Sequence, residues 1–271
     1  MTPGPAPLLI WSPLDGAAMA EGVLSYFDEL YMEYQQRKHP EDETRREAEF
    51  IVRALDLKPG DRVLDIGCGY GRHAVVLAEM GLKVVGLDIN PAYLEIARAK
   101  ARELGVSVDF VPGDMRHMPW RSEFDGAYMF YTSFGFYDDE DNVRVLSEAA
   151  SALKIGGRLL IDVRNRERLV ALAAAHGSER WRWWEGWGDL LVLGEEILDL
   201  EAGRITDRRI FFKSREFKGE RSISLRLYSL RELTSLMREA GLEVQDAYGD
   251  YDASPYSVTS PRMILVGRRV R

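Results

Sequence analysis

Short apolar segments alternate with amphipathic ones between residues 62 and 163. Continuous apolar runs predict buried strands, whereas apolar residues that recur every three or four positions predict helices. Alternation at this spacing is typical of parallel strands joined by right-handed crossover connections. The predicted strands are 62–66, 83–87, 106–111, 124–131 and 158–163, and the predicted helices end near Met80, Leu104 and Leu153.

The regular alternation stops on both sides of this region. Residues 20–37 and 42–56 predict two helices that could lie over the mouth of the sheet as a cap. Residues 177–228 predict an antiparallel insertion with a hairpin turn at 201–203. Its strands are 190–200, 204–212 and 222–228, and four tryptophans before them, at 181–187, are interpreted as core. A capping box at Ser229 and Glu232 then begins a last helix, followed by strands at 243–248 and 262–266.

These patterns predict four parts of the chain. Residues 1–18, rich in proline and glycine, are expected to form a flexible tail, and either Met1 or Met19 could be the natural start. Residues 19–57 form the helical cap. Residues 58–176 and 229–271 form one α/β domain, and residues 177–228 form an antiparallel β insertion that could serve as a substrate lid or a homodimer contact.

Composition excludes several classes of protein. The single cysteine, Cys68, rules out an internal disulfide framework and multi-cysteine metal sites. The four histidines do not pair at a metal-ligand spacing, so no metal is expected. No apolar run reaches the ~18 residues of a membrane helix. The N-terminus does not resemble a secretory signal either, so we expect a cytoplasmic protein without a membrane partner.

Charge bears on nucleic-acid binding. The formal net charge of −8 argues against a generic nucleic-acid binder, since phosphate contacts depend on Lys and Arg. Residues 204–231 nevertheless contain nine basic and three acidic side chains. The basic segment therefore leaves an RNA partner open as an alternative.

A glycine-rich turn carries the most informative chemistry. The sequence V-L-D-I-G-C-G-Y-G at 63–71 ends a strand and opens a helix. Glycines let the backbone approach a ligand closely, and the helix N-terminus offers free N–H groups. Asp88 ends the next strand 23 residues after Asp65. That offset is close to the ~20 residues at which an acid meets ribose hydroxyls in such folds.

Two ligand classes compete for this turn. Dinucleotide enzymes use G-x-G-x-x-G, whereas this chain has G-x-G-x-G followed by Arg72. A negative charge at Asp65, just before the first glycine, suits a ligand with a positive end and no phosphates. S-adenosylmethionine, with its ammonium and sulfonium, is such a ligand. An NAD-dependent oxidoreductase stays open as an alternative.

The motif D-I-G-C-G-Y-G at 65–71 resembles motif I of the class I S-adenosylmethionine-dependent methyltransferases. Asp88 matches their ribose-binding acid, and Gly113-Asp114-Met115 matches the element that contacts adenine. Residues 153–160 match the turn L-K-P-G-G-x-L, with Ile155 in place of proline. The resemblance covers about residues 60–165. It implies a doubly wound, mostly parallel seven-stranded sheet whose last strand is antiparallel and inserted beside the fifth.

The resemblance also implies a cofactor and its binding residues. The cofactor would be S-adenosylmethionine and the product S-adenosylhomocysteine. The implied cofactor-binding residues are Asp65, Gly67, Cys68, Gly69, Gly71, Asp88, Ile89, Asp114 and Met115.

Acceptor-binding groups are expected at the carboxyl end of the fourth strand, where the chain reads F-Y-T-S-F-G-F-Y at 130–137. This run differs from N-P-P-Y, the pattern of many nucleic-acid methyltransferases. No catalytic base can be identified, and the candidates are His117 and Tyr131. The candidate substrate-binding residues are Tyr31, Tyr34, Tyr131, Phe134 and Tyr137.

Together these features predict a methyltransferase that moves a methyl group to N or O of a small-molecule acceptor by in-line displacement. Positioning can supply much of the rate of such a transfer. Three alternatives stay open: an RNA methyltransferase that uses the basic insertion, an NAD-dependent oxidoreductase, and a non-catalytic S-adenosylmethionine-binding protein.

Overall fold

A computed structural model describes residues 22–271. The helices are α1 (Glu29–Lys38), α2 (Glu41–Leu55), α3 (Arg72–Glu79), α4 (Pro91–Glu103), α5 (Asp139–Ala152), α6 (Arg166–His176) and α7 (Leu230–Glu239). The first six strands are β1 (Arg62–Ile66), β2 (Lys83–Asp88), β3 (Val108–Pro112), β4 (Phe124–Met129), β5 (Leu153–Arg164) and β6 (Arg180–Trp187). The others are β7 (Leu190–Asp199), β8 (Arg204–Lys213), β9 (Glu216–Arg226), β10 (Leu242–Tyr248) and β11 (Arg262–Arg269).

Seven strands form the larger sheet, in the order β10-β11-β5-β4-β1-β2-β3. Strand β11 runs antiparallel to both of its neighbours, and the remaining pairs are parallel. The predicted fold, including the antiparallel last strand beside the fifth, is confirmed. Strands β1 and β4 are neighbours at the point where the strand order reverses, and such switch points open a cleft at the carboxyl ends of the strands.

Strands β6 to β9 form a second, antiparallel sheet in sequential order. Its first strand was not predicted, because it contains the tryptophans interpreted as core. Trp181, Trp183 and Trp187 are partly buried and pack against hydrophobic clusters, whereas the interpretation is wrong for Trp184, which is 72% exposed. The reason is topological, since β6 is an edge strand and Trp184 lies on its exposed face, opposite the other three tryptophans.

Helix boundaries differ from the predictions in two places. Helix α5 begins at Asp139 instead of near Val143, because the Asp138 side chain accepts a hydrogen bond from the Asp141 N–H and caps it. Helix α6 had no prediction. It buries only Leu169 and Ala173 and therefore lacks the broad apolar face that marks a helix in a sequence.

The N-terminal cap is bonded to the second sheet. The predicted helix at 20–37 is interrupted at residues 27–28, because Asp28 caps α1 by accepting from the Tyr31 N–H. Residues 22–26 form a separate helical turn, and Met19 lies outside the described residues. Salt bridges of Lys38 with Glu185 and of Lys213 with Glu33 join α1 to β6 and β8. Helix α1 and the second sheet are therefore bonded to each other, whereas α2 packs Phe50, Ile51 and Leu55 into the core of the larger sheet.

No helix within residues 22–271 has both the length and the apolar character that crossing a membrane requires. The expected homodimer stays a prediction.

Candidate active site

A cavity of roughly 1100 Å³, including its open mouth, lies at the carboxyl ends of β1, β2 and β4. We call it the glycine-loop cavity. Its walls come from the turn after β1, the turn after β2, the segment 130–133 after β4, and the cap. The predicted cofactor residues that line it are Asp65, Gly67, Cys68, Gly69, Asp88, Ile89 and Met115.

Two glycines of the turn line the cavity, but the space around them differs. Gly67 has φ +76°, and a Cβ there would lie 2.9 Å from the Cβ of Ser133. Gly69 has φ +56°, and its nearest neighbour would be Tyr93 at 3.8 Å. The first position is closed by the segment after β4, whereas the second is open and lets a ligand approach the backbone.

Gly71 was predicted to bind cofactor, but it does not line the cavity. A Cβ there would lie 2.8 Å from the Ala97 Cβ and 2.9 Å from the Phe110 ring. Gly71 is therefore required for the close packing of α3 against α4 and β3, a packing function that the third glycine also has in dinucleotide-binding turns.

Two carboxylates stand at opposite sides of the turn. Asp88 accepts hydrogen bonds from the Gly69 N–H at 2.7 Å and the Asn90 N–H at 2.8 Å, which fix its orientation. Asp65 is 3% exposed. Burial raises the pKa of the Asp65 carboxyl to about 7, and the Asp88 carboxylate adds to the increase. Burial also raises the pKa of Asp88.

The segment after β3 departs from the prediction. The Asp114 carboxylate is bonded by the Arg116 guanidinium, at distances down to 2.6 Å, and does not line the cavity. Gly113 and Met115 on either side do line it. His117 is exposed and lines none of the cavities found in the described residues. This position does not favour His117 as a catalytic base.

The candidate acceptor residues are not all together. Tyr31, Tyr131 and Tyr137 line the glycine-loop cavity. Phe134 is 1% exposed in the core of the larger sheet, and Tyr34 is fully buried between the cap and the second sheet. Both side chains are structural, because they are buried in hydrophobic clusters and do not line the cavity.

A second cavity adjoins the first, between the second sheet, α6 and the cap. We call it the insertion chamber. Five residues line both cavities, and they form the junction between them: Phe27, Tyr31, Tyr131, Thr132 and Phe136. The backbone at this junction is unusual, since Tyr131 and Thr132 have φ of +56° and +68°. Asp162 holds both, accepting from the Tyr131 N–H at its side chain and the Thr132 N–H at its carbonyl.

A buried polar cluster behind the glycine turn had no prediction. Arg72 and His73, in the first turn of α3, both bond to the Glu47 carboxylate of α2 and both line the glycine-loop cavity. Nη2 of Arg72 is buried without a hydrogen-bond partner in residues 22–271. The signal for Arg72 was its position directly after the last glycine, whereas Glu47 lies in an ordinary amphipathic helix. Within the described residues, no group of three His, Cys, Asp or Glu side chains could hold a metal ion.

Comparison with known proteins decides between the ligand classes. A family model for a methyltransferase domain matches residues 63–157. A putative methyltransferase of Geobacillus sp. (strain WCH70) is 28% identical over 217 residues, which cover 77% of this chain and 84% of the relative. The cypemycin N-terminal methyltransferase of Streptomyces sp. is 29% identical over 216 residues, covering 78% and 84%.

Residues 63–157 form a methyltransferase domain, and the protein is an S-adenosylmethionine-dependent methyltransferase.

A solved structure supports the fold of the methyltransferase over its whole length. The sugar N-methyltransferase KedS8 of Streptoalloteichus sp. ATCC 53650 superimposes with a TM-score of 0.67 at 18% identity, covering 100% of this chain and 99% of that one. The predicted cofactor, S-adenosylmethionine, is confirmed, and the NAD-dependent alternative is set aside. The cavity also fits this cofactor, because it offers an open glycine backbone, the buried Asp65 and partly buried Asp88 carboxylates and a guanidinium N–H group without a partner.

Proposed function

We propose that this methyltransferase moves a methyl group from S-adenosylmethionine in the glycine-loop cavity to N or O of a small-molecule acceptor in the insertion chamber. The junction of the two cavities carries the proposal. The shared lining residues place two compartments side by side, one suited to the cofactor and one enclosed by the cap and the second sheet.

The cofactor contacts follow from the charges of the cavity. The fixed Asp88 carboxylate would accept from the ribose hydroxyls, and ionised Asp65 would face the ammonium group. The orphaned Nη2 of Arg72 suits the carboxylate of the methionine part. Because Arg116 engages the Asp114 side chain, adenine would meet the flanking Gly113 and Met115 instead.

S-adenosylmethionine supplies a methyl group that its sulfonium already activates. The protein then has to align the acceptor. Tyr31 and Tyr131 at the junction stay protonated, because burial raises the pKa of both phenols. Neither is therefore a ready proton acceptor, and positioning by the junction is the contribution that the geometry supports.

The basic segment 204–231 does not favour an RNA acceptor. Phosphate binding needs free cations, and most of this segment's cations form salt bridges within the protein. The residues so engaged are Arg208, Arg209, Lys213, Lys218, Arg221 and Arg226.

Transfer of labelled methyl groups tests the proposal. An extract of the source organism is separated into small-molecule, RNA and protein fractions, and each is incubated with the enzyme and methyl-labelled S-adenosylmethionine. We expect label in the small-molecule fraction, and none with an Asp88→Ala variant. Enzyme-dependent label confined to RNA or protein would overturn the small-molecule proposal.

A further inference from the structure

We infer that the acceptor carries an anionic group, a carboxylate or a phosphate, and that Arg168 binds this group in the insertion chamber. The inference rests on the proposed function, because it takes the chamber to be the acceptor site. It follows from the charges that line the chamber and from which of them are already paired.

The two acids that line the chamber are both engaged. Glu196 forms a two-pronged salt bridge with Arg164, at 2.9 and 2.8 Å, and accepts from Trp181 Nε1 at 2.9 Å. Asp207 is bonded by Arg209 at distances of 2.7 to 3.2 Å. Neither carboxylate is left to bind a cationic group of an acceptor.

A third arginine that lines the chamber, Arg262, is paired with the buried Asp162 of β5. Nε of Arg262 donates to Asp162 at 2.7 Å, and Nη2 donates to Thr132 Oγ1 at 2.8 Å. Nη1 of Arg262 makes no hydrogen bond with residues 22–271. Three arginines and three acids therefore neutralise one another around the chamber.

Arg168 is the fourth arginine that lines the chamber. It lies in the first turn of α6, where its backbone N–H donates to the capping Asn165 side chain at 3.3 Å. Within residues 22–271, its guanidinium makes neither a salt bridge nor a hydrogen bond. The chamber thus has one positive charge in excess, with the N-terminal end of α6, which also favours an anion, beside it.

The surroundings of Arg168 suit the rest of such an acceptor. Leu169 and Leu172 of α6 and Ile223 and Leu225 of β9 line the same chamber. These side chains can contact an apolar body, while a guanidinium binds a carboxylate or phosphate through two parallel N–H groups. The acceptor's N or O nucleophile would then lie at the junction, away from its anionic group.

Binding of simple anions tests the inference without knowledge of the acceptor. Phosphate and acetate are titrated separately into the protein saturated with S-adenosylhomocysteine, at constant ionic strength, and tryptophan fluorescence is recorded. Trp181 lines the chamber and reports on it, which a Trp181→Phe variant verifies. We expect saturable binding that Arg168→Gln weakens about tenfold or more. Tighter binding of phosphate or of acetate then distinguishes the two anionic groups.

Arg166→Gln is the matched control, because Arg166 is in the same turn of α6 but does not line the chamber. It should leave anion binding unchanged, and Arg168→Lys should retain part of it. Absence of saturable anion binding, or equal binding by Arg168→Gln, would overturn the inference. The proposed function would still stand if the protein bound S-adenosylhomocysteine and transferred methyl groups to small molecules. Failure to bind S-adenosylhomocysteine at all would overturn both the inference and the proposed function.

Discussion

The glycine-loop cavity and the insertion chamber lie side by side, yet they are built in different ways. The first takes its essential groups from a short stretch, the turn after β1 and the turn after β2, and presents backbone and two carboxylates. The second takes its lining from positions between 26 and 262 and is organised by salt bridges between distant strands and helices. A ligand common to a family can be held by a local motif, whereas a variable acceptor is held by tertiary structure.

This comparison has an energetic consequence. Substitutions of glycine-loop residues that line the cavity should lower the affinity for the cofactor. Substitutions in the paired groups of the chamber should affect folding and leave cofactor binding intact. Four variants test that division, beginning with the largest expected effect.

Asp207→Asn should destabilise the protein most. It leaves the Arg209 charge buried among the rings of Tyr26, Tyr31 and Trp183 without its counterion. Breaking one side of a buried ion pair costs about 3–5 kcal/mol of unfolding free energy. Urea unfolding measures the loss, and binding of S-adenosylhomocysteine should persist in the folded fraction.

Glu216→Gln provides the control for Asp207→Asn, because it removes an exposed ion pair with Lys218 from the same sheet. Its cost should be much smaller than that of Asp207→Asn, because solvent screens an exposed ion pair. Equal costs for the two variants would mean that the salt bridges of the chamber do not organise it.

Gly67→Ala should weaken both folding and cofactor binding. It combines a left-handed backbone with a contact of 2.9 Å to Ser133. We expect a stability loss of about 2 kcal/mol and affinity for S-adenosylhomocysteine lower by about tenfold. Gly105→Ala has a similar φ of +67° with no atom within 4 Å, so it should lose only about 1 kcal/mol and bind normally. If both variants bound equally well, the closeness of Gly67 to Ser133 would have no part in shaping the cavity.

Affinity for S-adenosylhomocysteine should fall as the pH drops below 7. The pKa of Asp65 is raised to about 7, so its carboxyl gains a proton below that pH and loses its attraction for the ligand's ammonium. The expected decrease approaches tenfold per pH unit, about 1.4 kcal/mol. Asp65→Asn should bind weakly with a much flatter pH profile. The range from pH 5 to pH 8 spans about three pH units around that pKa. If the wild-type affinity stayed constant over this range, the proposed role of Asp65 would be contradicted.

Trp181→Phe should have the smallest effect. It removes one hydrogen bond to Glu196 and leaves the Arg164 salt bridge in place. A loss of about 1 kcal/mol is expected in thermal unfolding, with unchanged cofactor binding. Trp184→Phe, at a side chain that is 72% exposed, should cost less than about 0.5 kcal/mol.

The same contrast explains what the sequence could reveal. The order of strands β1 to β5 with the helices between them, and the positions of Asp65 and Asp88, follow from local patterns, and the structure brings both carboxylates to one cavity. The pairing of Glu47 with Arg72, or of Arg164 with Glu196, depends on contacts between residues 25 and 32 positions apart, for which a single sequence has no signal.

The segment after β4 shows that, even within one short motif, the sequence does not reveal which side chains line a pocket. Its aromatic residues all suit a pocket wall, yet Phe134 is core and Tyr137 lines the cavity. The backbone takes left-handed conformations at Tyr131 and Thr132, so regular alternation cannot predict which side chains point inward. Tertiary hydrogen bonds to Asp162, which is distant in sequence, hold that geometry.

Calorimetric titration of S-adenosylhomocysteine is the most direct test of the central claim, that the glycine-loop cavity binds the methyl donor. The wild type, Asp88→Ala and the exposed-carboxylate control Asp109→Ala are compared, with NADH as a second ligand. The account predicts micromolar-range binding, ~8 kcal/mol, to the wild type and Asp109→Ala, near-complete loss in Asp88→Ala, and no binding of NADH. Binding that survives Asp88→Ala unchanged, or a preference for NADH, would contradict it.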